Sequence, residues 1–213
     1  MGEMNISILS SRQIKLLKKL GFLKESGFYL AGGTGLAMQI GHRTSLDFDF
    51  YSKKEFISGT LQRLLEKKFK DAVLLQKGEG TLIMKISGVA VSFSQYPYPL
   101  IFPAIEHRGF PPLASPEDIS AMKIIAVSDR GTRRDFIDIY FLLKKLSLGE
   151  IFNFVKRKYP NFNIYVGLRG LTYFSDAEKK QQRRLCLFYY VSWNKIKESL
   201  IQEVKKYQKI CLK

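Results

Sequence analysis

Hydrophobic and polar positions along the chain change period several times, and each period predicts an element. Apolar residues at helical spacing among lysines predict an amphipathic helix over residues 11–25. The apolar run that follows, Phe28 to Gly33, predicts a buried strand that runs into a glycine turn. A short helix is then expected from Thr34 to Ile40, with Gly41 ending it.

The next segment, LDFDFY, alternates with period two and is typical of a strand. We expect one side to face the core and the other to face outward. The inward set is Leu46, Phe48 and Phe50, and the outward set is Asp47, Asp49 and Tyr51.

Beyond this strand, Ser52 and Glu55 have the spacing of a capping box for a helix that runs to about Phe69. Three strand patterns follow at residues 72–76, 81–86 and 89–93, with glycines in the turns. These strands predict a small meander.

The second half of the chain reads as mostly helical. Ser115 to Asp118 combine a cap, a proline at the first helical position and acids in the first turn. A further helix is expected to open at Thr132 to Asp135. The first of these helices is expected to direct four apolar residues to the core: Ile119, Met122, Ile125 and Ala126.

These elements predict an α/β (α+β) protein in two parts. Residues 1–112 would form a small mixed β-sheet core flanked by helices, and residues 113–213 a helical C-terminal region. Composition agrees with a globular chain, since 46 % of its 213 residues are hydrophobic and 25 % charged. No signal-peptide order, membrane-spanning run or disulfide framework is apparent, which favours a cytoplasmic protein without membrane contact.

Positive charge is concentrated in the last third of the chain. The formal net charge is +16, and residues 141–213 hold sixteen Lys and Arg against five Asp and Glu. Such a surface favours RNA or DNA through counterion release, and the alternative is a solvated face that serves solubility.

The glycine turn and the acidic strand carry the candidate chemistry. Gly33 and Thr34 would lie at a helix N-terminus, where backbone N–H groups and a hydroxyl favour phosphate. Asp47 and Asp49 would lie side by side on one strand face, an arrangement that favours Mg²⁺. Taken singly, each has an ordinary alternative, a tight turn or an edge strand with solvated aspartates.

The string GGTGLAMQIGHRTSLDFDFYS resembles the AbiEii/AbiGii-type toxin branch of the nucleotidyltransferase superfamily related to polymerase beta. The resemblance extends to YPYPL, to a lysine helix, to RRDFIDIYFL and to LTYFSDAE, and so covers nearly the whole chain. It implies that Asp47 and Asp49 bind Mg²⁺ and that Gly33 and Thr34 bind the nucleotide. It also implies a phosphate-binding role for Arg43, which lies in the His-Arg-x-Ser element. It also implies a toxin with a cognate antitoxin protein.

The lysine helix places Lys123 and Arg130 on one line seven residues apart, which suits a triphosphate or an RNA backbone. The alternative is a snorkelling surface pair. The resemblance implies that Lys123 binds the nucleotide. The family's third motif matches Arg134, Asp135 and Asp138, and the resemblance implies that Asp135 is a general base or an organiser of the acceptor. Spacing alone equally allows Asp135 to complete a capping box with Thr132.

One departure from the family pattern concerns the third carboxylate that many relatives carry on a later strand. Here VAVSFSQ places Ser92 and Ser94 outward, so a third metal ligand is not expected. The predicted function is Mg²⁺-dependent transfer of a nucleoside monophosphate from an NTP to an RNA hydroxyl, with tRNA the first candidate. The alternatives are a non-catalytic nucleotide- or RNA-binding protein that keeps the fold, and transfer to the protein itself or to another protein.

Overall fold

The computed structural model describes residues 4–179 and 186–211. The chain divides into two compact units, Met1–Ser115 and Pro116–Lys213, whereas the boundary expected from the sequence lies between residues 112 and 113. Every strand of the described residues belongs to the first unit, and the second unit is helical. The predicted α+β class, with a sheet core and a helical C-terminal region, is confirmed.

The first unit is built on one mixed sheet. Its strands are β1 Tyr29–Leu30, β2 Phe48–Ser52, β3 Val73–Gly78, β4 Thr81–Ile86 and β5 Val89–Gln95. They lie in the order β1-β2-β5-β4-β3. The pair β2 and β5 is parallel and every other pair is antiparallel. The expected meander is the antiparallel part of this sheet, β3 to β5.

The first unit's helices are α1 Ser11–Lys19, α2 Gly32–Ile40 and α3 Ser58–Lys68, with 3₁₀ turns at Ile6–Ile8 and Leu20–Lys24. Ser10 and Gln13 form a capping box at the start of α1, and the Gln13 amide also donates to the Ser45 carbonyl at 2.8 Å. Buried phenylalanines fill the space against the sheet, with the Phe93 ring 5.5 Å from Phe50 and 5.4 Å from Phe28. This core fixes β2, the strand with the two aspartates.

Two expectations for this unit are wrong. Leu46 is 53 % exposed, because β2 begins only at Phe48 and Leu46 lies outside the strand. The capping box of Ser52 and Glu55 does not form, because Ser52 is the last residue of β2 and its hydroxyl accepts the N–H of Lys54 at 3.1 Å. The helix begins later than expected, at Ser58.

The second unit contains α4 Pro116–Asp129, α5 Arg133–Leu142, α6 Leu148–Lys158, α7 Ile164–Thr172, α8 Ser175–Lys179 and α9 Trp193–Cys211. The start of α4 at proline is confirmed. Its expected apolar stripe is shifted: Ile119 is buried, but Met122, Ile125 and Ala126 are only half-buried. The fully buried apolar positions are Ile119, Ala121, Ile124 and Val127. No helix of the described residues is long and apolar enough to cross a membrane.

A buried ion pair joins two helices of this unit. Lys158 Nζ lies 2.7 Å from Asp118 Oδ1, and both side chains are fully buried. Asp118 lies in the first turn of α4 and Lys158 in the last turn of α6, so each charge also matches the local helix dipole. The sequence analysis read Asp118 only as an acid of the first turn and missed its partner 40 residues away.

We expect Lys158→Met to destabilise the chain by about 3–5 kcal/mol, because it leaves the Asp118 carboxylate buried without its lysine. The double variant Asp118→Leu/Lys158→Met should recover most of that loss, because it removes both charges and keeps apolar volume. Urea unfolding of both variants and the wild type measures the difference. Losses that simply add in the double variant would contradict a coupled buried pair.

Candidate functional site

The glycine turn between β1 and α2 is shaped by the side chains that approach it. Gly32 has φ +60°, a left-handed conformation that glycine adopts without strain. A Cβ atom added there would lie 2.5 Å from Asp49 Oδ2. A Cβ atom at Gly33 would collide with the guanidinium of Arg43. The space that a side chain would need at each glycine is therefore already occupied by a charged group.

Asp47 directly precedes β2 and Asp49 is its second residue, and the predicted alternation of buried and exposed positions holds from residue 47 onward. Phe48 and Phe50 are fully buried, and both aspartates are half-exposed on the opposite face. The Ala31 N–H, one residue before α2, donates to the Asp49 carbonyl at 2.9 Å. The acidic strand and the glycine turn are thus held together by backbone as well as by packing.

Ser92 on β5 lies directly opposite Asp49 in the parallel register. Its hydroxyl donates to Asp49 Oδ1 at 2.8 Å. Among the residues that the structure describes, no group of three or more His, Cys, Asp or Glu side chains is arranged to hold a metal ion. Opposite Asp49, this chain therefore has a neutral hydroxyl in place of a third carboxylate, and that hydroxyl orients the Asp49 side chain.

Thr34 occupies the first turn of α2, but its side chain is buried. The hydroxyl donates to the Asp47 backbone carbonyl and hydrogen-bonds to the Ser45 hydroxyl at 2.6 Å. These bonds brace the segment that leads into β2. The geometry favours this bracing role over the phosphate contact that we expected of the Thr34 hydroxyl.

Arg43 is 2 % exposed, and its Nη1 donates to the Thr44 carbonyl at 2.9 Å. Its guanidinium packs against Gly33, so a permanent positive charge lies within the turn at the N-terminal end of α2. The predicted set Gly33, Thr34, Arg43, Asp47 and Asp49 therefore lies together in the first unit.

The second unit brings together the remaining predicted residues, Lys123, Arg130 and Asp135. Lys123 Nζ lies 2.8 Å from Asp135 Oδ1 and 2.6 Å from Asp138 Oδ2. Arg130 Nε lies 3.4 Å from Asp135 Oδ2, and its side chain is 61 % exposed. The lysine and both aspartates are buried, so Lys123 is not the surface cation that its position on the helix allowed.

Asp135 also completes the capping box of α5, the alternative that its spacing left open. The Thr132 N–H and hydroxyl donate to its Oδ2 at 3.3 and 2.5 Å. Burial alone would raise the pKa of Asp135, but Lys123, with help from Arg130 and these bonds, overcomes that effect and lowers the pKa to about 2. A carboxylate with so low a pKa is a weak general base near neutral pH.

Two contacts in these clusters were not predicted. The hydrogen bond from Ser92 to Asp49 follows from strand pairing, which the pattern of a single strand does not reveal. Asp138 belongs to the third motif and follows Asp135 by three residues on the same helix face, but its contact with Lys123 depends on how α4 and α5 pack.

The fold is similar to that of solved nucleotidyltransferases. A putative nucleotidyltransferase from H. pylori aligns with 95 % of this chain and 96 % of its own, at 17 % identity and a TM-score of 0.53. MenT4, a nucleotidyltransferase toxin from Mycobacterium tuberculosis H37Rv, aligns with 91 % of this chain and 81 % of its own, at 13 % identity and a TM-score of 0.53. At these identities the likeness is one of fold.

Sequence similarity identifies the family. Residues 16–206 match the nucleotidyl transferase AbiEii toxin of type IV toxin–antitoxin systems. The protein aq_aa25 of Aquifex aeolicus (strain VF5), itself uncharacterized, is 35 % identical over 185 residues, which are 84 % of this chain and 87 % of that relative. The chain belongs to the AbiEii nucleotidyl transferase toxin family and is a nucleotidyltransferase. The resemblance read from the sequence is confirmed.

We expect Gly32→Ala to impair both folding and transfer. The left-handed backbone costs a non-glycine residue about 1–2 kcal/mol of stability. The new methyl group also displaces the Asp49 carboxylate, and we expect this displacement to lower the transfer rate about 100-fold. Gly21→Ala is the matched control, because a Cβ atom there meets nothing within 4 Å. Urea unfolding and transfer rates of the two variants test the requirement. Equal behaviour of both would show that the close approach at Gly32 is unimportant.

The low pKa of Asp135 predicts acid sensitivity. Because the pKa falls from its ordinary 3.8 to about 2 on folding, the associated stabilisation is present above pH ~4 and is lost as the pH falls through about 2. The shift corresponds to about 2 kcal/mol. Between pH 5 and pH 2 the free energy of unfolding, measured with urea, should fall by about 2 kcal/mol less in Asp135→Asn than in the wild type. The exposed Asp71→Asn variant should retain the wild-type dependence, and identical slopes in all three would refute the assignment.

Proposed function

We propose that this nucleotidyltransferase uses Mg²⁺ to transfer a nucleoside monophosphate from an NTP to a hydroxyl group of RNA, with tRNA the first candidate. The observation that carries the proposal is the pair Asp47 and Asp49, which are partly exposed at the start of β2 beside the N-terminal turn of α2. This arrangement joins two oxygen-donor side chains to a turn that favours phosphate.

The residues present fit a magnesium ion. Mg²⁺ is usually bound by one or two carboxylates together with water and substrate phosphates, so a third protein carboxylate is not required. Asp49 has one oxygen oriented by Ser92 and the other against Gly32, which holds the carboxylate in a single orientation. When bound, the ion would neutralise charge on the phosphates.

The phosphate groups would lie at the first turn of α2, whose leading N–H groups have no carbonyl one turn earlier to bind. Gly32 and Gly33 allow close approach there, and the Arg43 guanidinium adds positive charge. In the reaction the acceptor oxygen bonds to the α-phosphorus as the bond to the pyrophosphate oxygen breaks. Pyrophosphate leaves, and the hydroxyl proton passes to water.

In the second unit we propose different roles for the predicted residues. Arg130 is more exposed than Lys123, so it is suited to contact a phosphate of the nucleotide or of the RNA. Lys123 would be positioned by Asp135 and Asp138. Asp135 therefore enters the proposal as an organiser of this cluster, the second of its two expected roles, because its low pKa opposes a role as base.

RNA is proposed as acceptor because the charge is so unevenly distributed. The sixteen Lys and Arg of residues 141–213 against five acids would attract a polyanion through counterion release. A cognate antitoxin follows from the toxin–antitoxin family. We infer action in the cytoplasm, because that is where NTPs and tRNA are available together.

The test is incubation of the purified chain with α-labelled NTPs, Mg²⁺ and total RNA. We expect label on RNA with the wild type. Asp47→Asn and Asp49→Asn should each lower the transfer rate about 100-fold or more, because each removes a negative charge that would bind the cation. EDTA should abolish transfer. Asp71→Asn, an exposed aspartate between α3 and β3, is the matched control and should transfer normally.

Other results would point elsewhere. Label on the chain itself in place of RNA would support self-modification and overturn the RNA acceptor. Unchanged turnover in Asp49→Asn would overturn the metal site. Separate assays of the four NTPs determine which nucleotide is transferred.

A further inference from the structure

Four tyrosine rings form a continuous series beside the carboxylate strand, and the proposed function does not use them. The ring centroids of Tyr29 and Tyr51 are 6.2 Å apart, those of Tyr51 and Tyr96 are 5.2 Å apart, and those of Tyr96 and Tyr98 are 5.2 Å apart. These are normal separations for interacting aromatic rings. We call this set the tyrosine ladder.

The ladder begins on the same strand face as the aspartates. Tyr51 follows Asp49 by two residues, and both are half-exposed while Phe50 between them is fully buried. At the rise of a β-strand their Cα atoms are about 7 Å apart. Tyr96 is fixed beside this strand, because its N–H donates to the Ser52 carbonyl at 2.8 Å.

Two prolines orient the outer part of the ladder. Tyr96 precedes Pro97 and Tyr98 precedes Pro99, and a residue before proline is restricted to extended conformations. In an extended segment residues two apart project to the same side, which agrees with the ring contact between Tyr96 and Tyr98. The spacing Tyr-Pro-Tyr-Pro therefore builds a pair of rings with little conformational freedom.

Exposure rises along the ladder from one end to the other. Tyr29 is buried, Tyr51 and Tyr96 are half-buried, and Tyr98 is 41 % exposed. The series therefore leads from the carboxylate strand to solvent, and its outer rings present aromatic surface there. Ordered aromatic surface next to a phosphate-directed site is the arrangement with which proteins stack nucleobases.

We propose that the tyrosine ladder is the platform on which the nucleobase of the nucleotide substrate stacks, with Tyr98 as the outermost contact. This inference rests on the proposed function, since it takes the nucleotide phosphates to lie at Asp47, Asp49 and the glycine turn. The base is joined to those phosphates through the ribose, so it lies a short distance from them, and the ladder supplies ordered aromatic surface that begins two residues from Asp49. Stacking reads an aromatic face and not a hydrogen-bond pattern, so the platform itself does not discriminate between the four bases.

A tyrosine ladder could also serve packing alone, and the two roles differ in what they do to binding. A stacking contact contributes to the affinity for an NTP but not to the affinity for inorganic triphosphate, which has no base. A packing contact affects both equally through stability. Replacing the ring while keeping apolar volume separates the two roles.

The experiment compares Tyr98→Leu, Tyr98→Phe and the wild type by equilibrium dialysis with each of the four labelled NTPs in Mg²⁺ buffer, and by competition with inorganic triphosphate. We expect Tyr98→Leu to weaken about tenfold the binding of every NTP that the wild type binds, which corresponds to ~1.4 kcal/mol. Tyr98→Phe keeps the ring and should stay within about twofold of the wild type. The affinity for inorganic triphosphate should be the same in all three. Tyr165→Leu, which changes a 63 % exposed tyrosine on α7, is the control and should bind the same NTPs as the wild type with unchanged affinity.

Three results would overturn the platform alone. They are equal NTP affinity of Tyr98→Leu and the wild type, equal losses in Tyr98→Leu and Tyr98→Phe, and a parallel loss of triphosphate affinity in Tyr98→Leu. Absence of Mg²⁺-dependent NTP binding by the wild type would instead overturn the proposed function, and the platform with it. Thermal unfolding of each variant shows that all are folded under the conditions of the assay.

Discussion

The contact between the Asp49 carboxylate and the backbone of Gly32 is the constraint on which the arrangement of the first unit depends. It brings a charged side chain of β2 closer to the turn than any Cβ atom would allow. The Ala31 N–H bonded to the Asp49 carbonyl, and the Thr34 hydroxyl bonded to the Asp47 carbonyl, hold strand and turn at that separation. A residue with a side chain at position 32 would move the carboxylate, the turn or both. The glycine is thus part of the site although it contributes no functional group.

Local patterns in the sequence were sufficient to predict those parts of the site that are set by a single strand or a single turn. The strand period placed Asp47 and Asp49 on the face opposite Phe48 and Phe50, and the glycine turn marked the start of α2. Leu46 marks the limit of that reasoning, because the period was extended past the true start of β2. The failed capping box of Ser52 has the same cause, since the pattern of caps is local and the end of a strand is decided by its pairing with β5.

Features that depend on partners distant in the sequence were not predictable from one chain. The helix α4 contacts α5, α6 and α7 within its own unit, so it is buried on several sides and has no single stripe for a periodicity argument to find. The expected stripe therefore includes Met122 and Ile125, whereas Ala121 and Ile124 are the positions that are buried. The buried pair Asp118 and Lys158, and the lysine with two aspartates at Lys123, likewise required knowledge of which helices meet.

The two acidic clusters differ in the charge of the groups that hold them, and this difference bears on function. Asp135 and Asp138 are buried against Lys123, and Arg130 lies 3.4 Å from Asp135, so two cations within the protein largely compensate the two negative charges. Asp49 is held by a hydroxyl and by a glycine backbone, which are neutral, and it is half-exposed. A neutral donor orients a carboxylate without cancelling its charge, whereas a lysine does both. The serine at position 92 therefore keeps the β2 carboxylate available to a cation from solvent, and the lysine cluster is better suited to fix helix positions than to bind one.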